Sequence, residues 1–113
     1  MQKINRRDVL INSVAAYAVT GLNLAQAYAT PAAYTITIHK FKFEPDHIDV
    51  HVGDTITWIN QDLAPHTATA DTNDWGTKML EKGQSKSLLV SESMTGDYYC
   101  QFHPNMKGTI TIK

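Results

Sequence analysis

The sequence contains the run Cys100-Gln101-Phe102-His103-Pro104-Asn105-Met106, which sets a thiolate, an imidazole and a thioether three residues apart. Soft sulfur suits Cu(I), and imidazole suits both copper states. Two His, one Cys and a weak axial Met together make the electron-transfer type of copper site. This run supplies three of those four groups. His66, in Asn60-Gln61-Asp62-Leu63-Ala64-Pro65-His66-Thr67, is the best candidate for the fourth. The ligand set leaves no open position for a substrate. No catalytic triad and no spare acid–base pair stands near it, so the pattern points away from an enzyme.

Each of these residues has a plain reading when taken alone. Cys100 reads as a buried inert thiol, Met106 as a core methionine, His66 as a polar strand residue and Asn60 as a turn residue. Only their combination points to a metal. Zinc fits poorly, because Met is a poor zinc ligand and there is one Cys. A copper carrier or storage protein would use overlapping ligands but keep them exposed, and the clustered methionines expected of one are missing. His47 and His51 share one face of a strand pattern, but their rings would stand about 13 Å apart along it. With His39 they read as solvated surface histidines. Trp58, Tyr98 and Tyr99 read as core and surface aromatics, and Met79 and Met94 as gap fillers.

The elements that must hold this cluster alternate with period two. Tyr34, Ile36 and Ile38 alternate with Thr35, Thr37 and His39, and Ile48, Val50 and Val52 alternate with His47, Asp49 and His51. Gly53-Asp54 marks a turn. Residues 55–60 place Ile56, Trp58 and Asn60 on one face. Residues 66–70, 85–90, 97–102 and 109–112 read as further strands, punctuated by Gly83, Gly96 and Gly108. His66 then shares a face with Ala68 and Ala70, and Cys100 with Tyr98. Asn60 points inward, and a buried amide needs partners; pinning the two ligand loops together would supply them. No segment has the length and period of a helix, although residues 71–82 have room for one helical turn. Short strands with turns between them imply an all-β fold, an antiparallel sandwich or small barrel.

The chain has 113 residues, enough for one domain, and a net charge of −1. That balance excludes a typical nucleic-acid binder, which carries a basic face. Residues 1–29 read as a cleavable export signal. Lys3, Arg6 and Arg7 precede an apolar stretch from Val9 to about Leu24. Small-residue patterns ending at Ala27 and at Ala29 offer two cleavage points. Arg6-Arg7 resembles a twin-arginine signal. The apolar stretch is too short and too polar for a membrane span, and an uncleaved anchor helix is the alternative. Residues 30–113 form the domain. They hold seven Lys and no Arg against ten Asp plus Glu, a net charge of −3. A domain this small is marginal on core burial alone, and a single Cys rules out an internal disulfide. A bound metal would occupy that thiol and add stability.

The motifs, taken in order, resemble the plastocyanin-like cupredoxins. They are Phe43-Glu44-Pro45, Val52-Gly53-Asp54-Thr55-Ile56-Thr57-Trp58-Ile59-Asn60, Pro65-His66-Thr67, Gly96-Asp97-Tyr98-Tyr99-Cys100 and His103-Pro104-Asn105-Met106-Lys107-Gly108. Two residues between His103 and Met106, and five between Asn60 and His66, are most similar to the amicyanin branch. The resemblance covers nearly all of residues 33–113. It implies a Greek-key β-sandwich with one type I copper, held strongly by His66, Cys100 and His103 and weakly by Met106. It implies that Asn60 braces the loops and that the Thr67 amide donates to the Cys100 sulfur. Electrons would leave through His103, within a small apolar patch of Ala64, Pro65 and Pro104. Leu63 and Ala64 depart from the residues usual in that loop. The resemblance further implies a monomeric periplasmic carrier with no lasting membrane insertion once processed. Its partners would be redox proteins, an amine dehydrogenase as donor and a c-type cytochrome as acceptor.

Overall fold

A computed structural model describes residues 30–94 and 96–113, and the export-signal segment read in the sequence lies outside them. The described residues form eight strands: β1 Ala33–His39, β2 Lys42–Glu44, β3 His47–Val50, β4 Thr55–Asn60, β5 Thr69–Ala70, β6 Ser85–Leu89, β7 Asp97–Tyr99 and β8 Lys107–Ile112. They form two four-stranded sheets, β2-β1-β4-β6 and β3-β8-β7-β5. The chain passes repeatedly from one sheet to the other, as in a Greek-key sandwich. Among the described residues no helix is long and apolar enough to cross a membrane, and residues 71–82 contain no helical turn.

The sheets are mixed, which corrects the antiparallel expectation. β1 pairs parallel to β4 with Ala33 opposite Thr55, and β3 pairs parallel to β8 with His47 opposite Thr109. The cause lies in the connections. After the β1–β2 hairpin the chain crosses to the other sheet for β3 and returns to lay β4 beside β1. Period-two patterning reports which face a residue takes, not the direction of its neighbour.

The inward faces are those the alternation marks. Ile36, Ile38, Ile56 and Trp58 from one sheet meet Val50, Tyr98 and Ile110 from the other, all buried. Side chains of this size contribute about 1.5–3 kcal/mol each on burial. Aromatic edges fill the centre: Tyr98 meets Phe43 at 4.8 Å and Trp58 at 5.6 Å between centroids. Gly108 lets Tyr98 pass close over β8, since a Cβ there would overlap the Tyr98 ring.

The 85–90 strand ends one residue early, at Leu89, and three others stop further short of expectation. The 66–70 segment pairs regularly only at Thr69–Ala70, the 97–102 strand ends at Tyr99, and β3 ends at Val50, leaving Val52 exposed. In the first two cases the chain leaves the ladder next to a candidate ligand, His66 or Cys100. In the third, Gly53, with φ +98°, makes the turn into β4. Asp54 secures that turn by accepting the amides of His51 at 2.9 Å and Ala32 at 2.8 Å. The Ala32 and His51 amides hold its carboxyl below the usual range.

Candidate metal centre

β4 ends at Asn60, β7 ends at Tyr99 and β8 begins at Lys107, so the connections leaving them carry the candidate ligands. His66 pairs through its backbone with Leu80, donating at 3.0 Å and accepting at 2.8 Å. The Cys100–Met106 loop closes on itself. The Cys100 amide donates to the Met106 carbonyl at 3.1 Å, the His103 amide to the Cys100 carbonyl at 3.1 Å, and the Met106 amide to the His103 carbonyl at 2.9 Å. These bonds curl the loop back on itself and bring the Cys100 and His103 side chains together.

His66 and Cys100 are fully buried, Met106 is buried and His103 is half-buried. The Cys100 Sγ stands 3.7 Å from Nδ1 of His66 and 3.7 Å from Nδ1 of His103. All three ligand atoms lie within 4.8 Å of one another, and this is the one such cluster among the described residues. A first-row metal bound at about 2.0 Å to nitrogen and 2.3 Å to sulfur sets trigonal N and S ligands roughly 3.7 Å apart. The donor set therefore fits a metal of that size, and its softness fits copper. Copper held there supplies one-electron exchange between Cu(I) and Cu(II).

The protein's part is to orient these donors. Nε2 of His66 lies 2.8 Å from Oδ2 of Asp62, so the carboxylate accepts the Nε2 proton and leaves Nδ1 free toward Cys100. Burial would raise the Asp62 pKa. The amides of Phe41 and Lys40 and the His66 imidazole outweigh it and hold the carboxyl below the usual range. The Thr67 amide donates to Cys100 Sγ at 3.3 Å, and Thr67 Oγ1 accepts the Gln101 amide at 2.9 Å.

Asn60 differs from expectation. Its Nδ2 donates to the carbonyls of Ala64 at 2.9 Å and Leu80 at 2.8 Å, and its Oδ1 accepts the Asp62 amide at 2.9 Å. All three bonds stay on the His66 side, so Asn60 braces one ligand loop. Thr67 makes the link to the other, because β5 pairs antiparallel with β7, Thr69 opposite Tyr99, and the two segments run on side by side to Thr67 and Cys100.

The surface around His103 is larger and more aromatic than Ala64, Pro65 and Pro104 suggest. A depression of about 460 Å³ is lined by Phe41, Phe102, His103, Pro104, Asn105 and Met106. Leu63, Phe41 and Phe102 are exposed. Sequence reading missed Phe41, whose ring lies edge-on to His66 at 5.0 Å and to His103 at 4.8 Å. It also missed Asp62, whose only signal was its place four residues before His66. His47 and His51 are exposed, and His47 binds Thr111 Oγ1 at 2.9 Å.

A sandwich with a buried Cys and two imidazoles gathered at its loops defines a class, the small copper proteins. Comparison agrees: the model of the cupredoxin-like domain matches residues 11–112, and the chain belongs to that family. Within it the chain is amicyanin-like. It is 35% identical over 94 residues to amicyanin from Paracoccus denitrificans, covering 79% of this chain and 72% of that protein. It is 30% identical over 108 residues to amicyanin-alpha from Methylorubrum extorquens, covering 90% and 89%. A solved amicyanin variant in its reduced Cu(I) form superposes with a TM-score of 0.64 at 34% identity, covering 77% of this chain and 88% of that one. The chain is thus a one-copper electron-transfer protein and not an enzyme.

Proposed function

We propose that His66, Cys100 and His103 are the strong copper ligands and Met106 the weak axial one. The protein, on this reading, carries single electrons in the periplasm. The observation that carries it is the placement of both Nδ1 atoms 3.7 Å from a fully buried Cys100 sulfur. A copper carrier or storage protein needs exposed, exchangeable ligands, and the burial of His66 and Cys100 argues against one. Packing on every side but that of His103 keeps the donors in one compromise geometry, so little must move when an electron arrives or leaves. Electrons pass through the half-buried His103, and the apolar surface of Phe41, Phe102 and Pro104 around it suits brief, weak complexes.

The amicyanin likeness supports an amine dehydrogenase as donor and a c-type cytochrome as acceptor. The basic, apolar and small-residue order of residues 1–29 supports an export signal, with residues 30–113 as the working domain. Loading the purified chain with one equivalent of copper tests the ligand assignment. An intense visible band on oxidation, with one copper per chain, is expected. Two tightly held coppers or stoichiometric zinc after native purification overturn it. Mixing with the reduced dehydrogenase and following bleaching of that band tests the donor.

A further inference from the structure

Phe41 lies outside the ligand set and outside the core cluster, yet it touches both imidazoles. Its conformation is unusual. Lys40 and Phe41, in the turn between β1 and β2, are consecutive non-glycine residues at φ 54° and 58°. Left-handed backbone suits Gly or Asn, and a bulky residue there is a true outlier. The turn is held from outside. The Lys40 amide donates to Asp62 Oδ1 at 2.8 Å and the Phe41 amide to Asp62 Oδ2 at 2.9 Å. Successive amides facing one way make a receptor for an anion, and the Asp62 carboxylate fills it.

The same Oδ2 lies 2.8 Å from His66 Nε2. One carboxylate thus fixes both a ligand imidazole and the residue that covers it. Phe41 is 49% exposed, so burial does not explain its place. It lines the depression beside His103 and sets its edge against both imidazoles.

We propose that Phe41 is a lid over the metal centre, held closed by Asp62, that bars small solutes from the space between His66 and His103. Phe41 and Asp62 are positioning residues: one excludes water and competing ligands, and the other holds the turn that presents it. The lid keeps the ligand set without an open position, and in that it rests on the copper reading above.

Alkylation of Cys100 by iodoacetamide in the full chain before copper loading tests the lid. Access to a buried thiol needs local opening, and loss of two edge-to-face contacts favours opening by about tenfold. Phe41→Gly, which suits the left-handed backbone, should raise the rate by about that factor. Asp62→Ala should raise it in the same direction, and Phe41→Tyr, which keeps the ring, should leave it at the wild-type value. Phe41→Asn serves if the glycine variant does not fold. A Phe41→Gly or Phe41→Asn rate equal to wild type overturns the lid. So does an increase no larger than the loss of global stability in urea accounts for. Absence of a visible band on copper loading overturns the copper reading instead and leaves the alkylation result standing.

Discussion

The backbone amide of Thr67 donates to Cys100 Sγ at 3.3 Å, while the Thr67 hydroxyl accepts the Gln101 amide at 2.9 Å. One residue therefore joins the segment that carries His66 to the loop that carries Cys100, His103 and Met106. Thr67→Val keeps the shape and the amide but removes the hydroxyl, leaving a partly buried amide without its acceptor. The expected loss is about 1–3 kcal/mol of stability, read as a lower urea midpoint, with the Cys100-derived visible band retained. An unchanged midpoint would show that the link carries no weight.

On the proposed ligand set the Cys100 thiolate is the chromophore, so Cys100→Ser should abolish the intense visible absorption of the copper-loaded protein. With Met106 as the proposed axial ligand, Met106→Gln should keep the colour and lower the reduction potential, because an axial ligand tunes the copper without creating the band. Absorption and voltammetry on the two variants separate these roles.

Asn60→Ala removes the donor to the Ala64 carbonyl, one of two donors to the Leu80 carbonyl and the acceptor of the Asp62 amide at once. With Asn60 fully buried, the loss should be about 2–4 kcal/mol. Calorimetry of the chain without copper isolates this from metal binding. A melting temperature equal to wild type would contradict the bracing role.

Gly108→Ala drives a methyl into the Tyr98 ring, and Tyr98 is locked by Phe43 and Trp58. Overpacking of this kind costs about 1–3 kcal/mol. The double variant Gly108→Ala with Tyr98→Leu should lose less than the sum of the two single changes, which a double-mutant cycle measures.

Asp54 sets one acid limit on stability. The amides of Ala32 and His51 lower its pKa in the folded chain below the ordinary 3.8. A depressed folded value means the contribution is fully present above the unfolded value and is lost as pH falls through the folded one. Asp54→Asn should therefore be less stable than wild type at neutral pH, and the gap should close below about pH 4. Urea unfolding at a series of pH values reads this directly, and a gap constant with pH would contradict it.

Much of this molecule was legible in residue order because its information is local. Period-two runs placed Ile36, Ile38, Ile56, Trp58 and Asn60 inward, and the structure buries each of them. The three-residue spacing of Cys100, His103 and Met106 is the spacing of one tight loop, so three candidate ligands were readable together. The lone Cys and the single coherent ligand set already favoured one metal over a disulfide. What depended on tertiary structure is whatever joins segments far apart in the chain. The parallel pairing of β1 with β4 follows from crossovers that no alternation encodes. Asn60 turned out to serve one loop and Thr67 both, because Thr67 follows the long-range pairing of β5 with β7, which no local pattern encodes. The Asp62 carboxylate reaches back 22 and 21 residues to Lys40 and Phe41. That brings an aromatic ring over two imidazoles, a contact that exists only once the ends of both sheets share one pole of the sandwich.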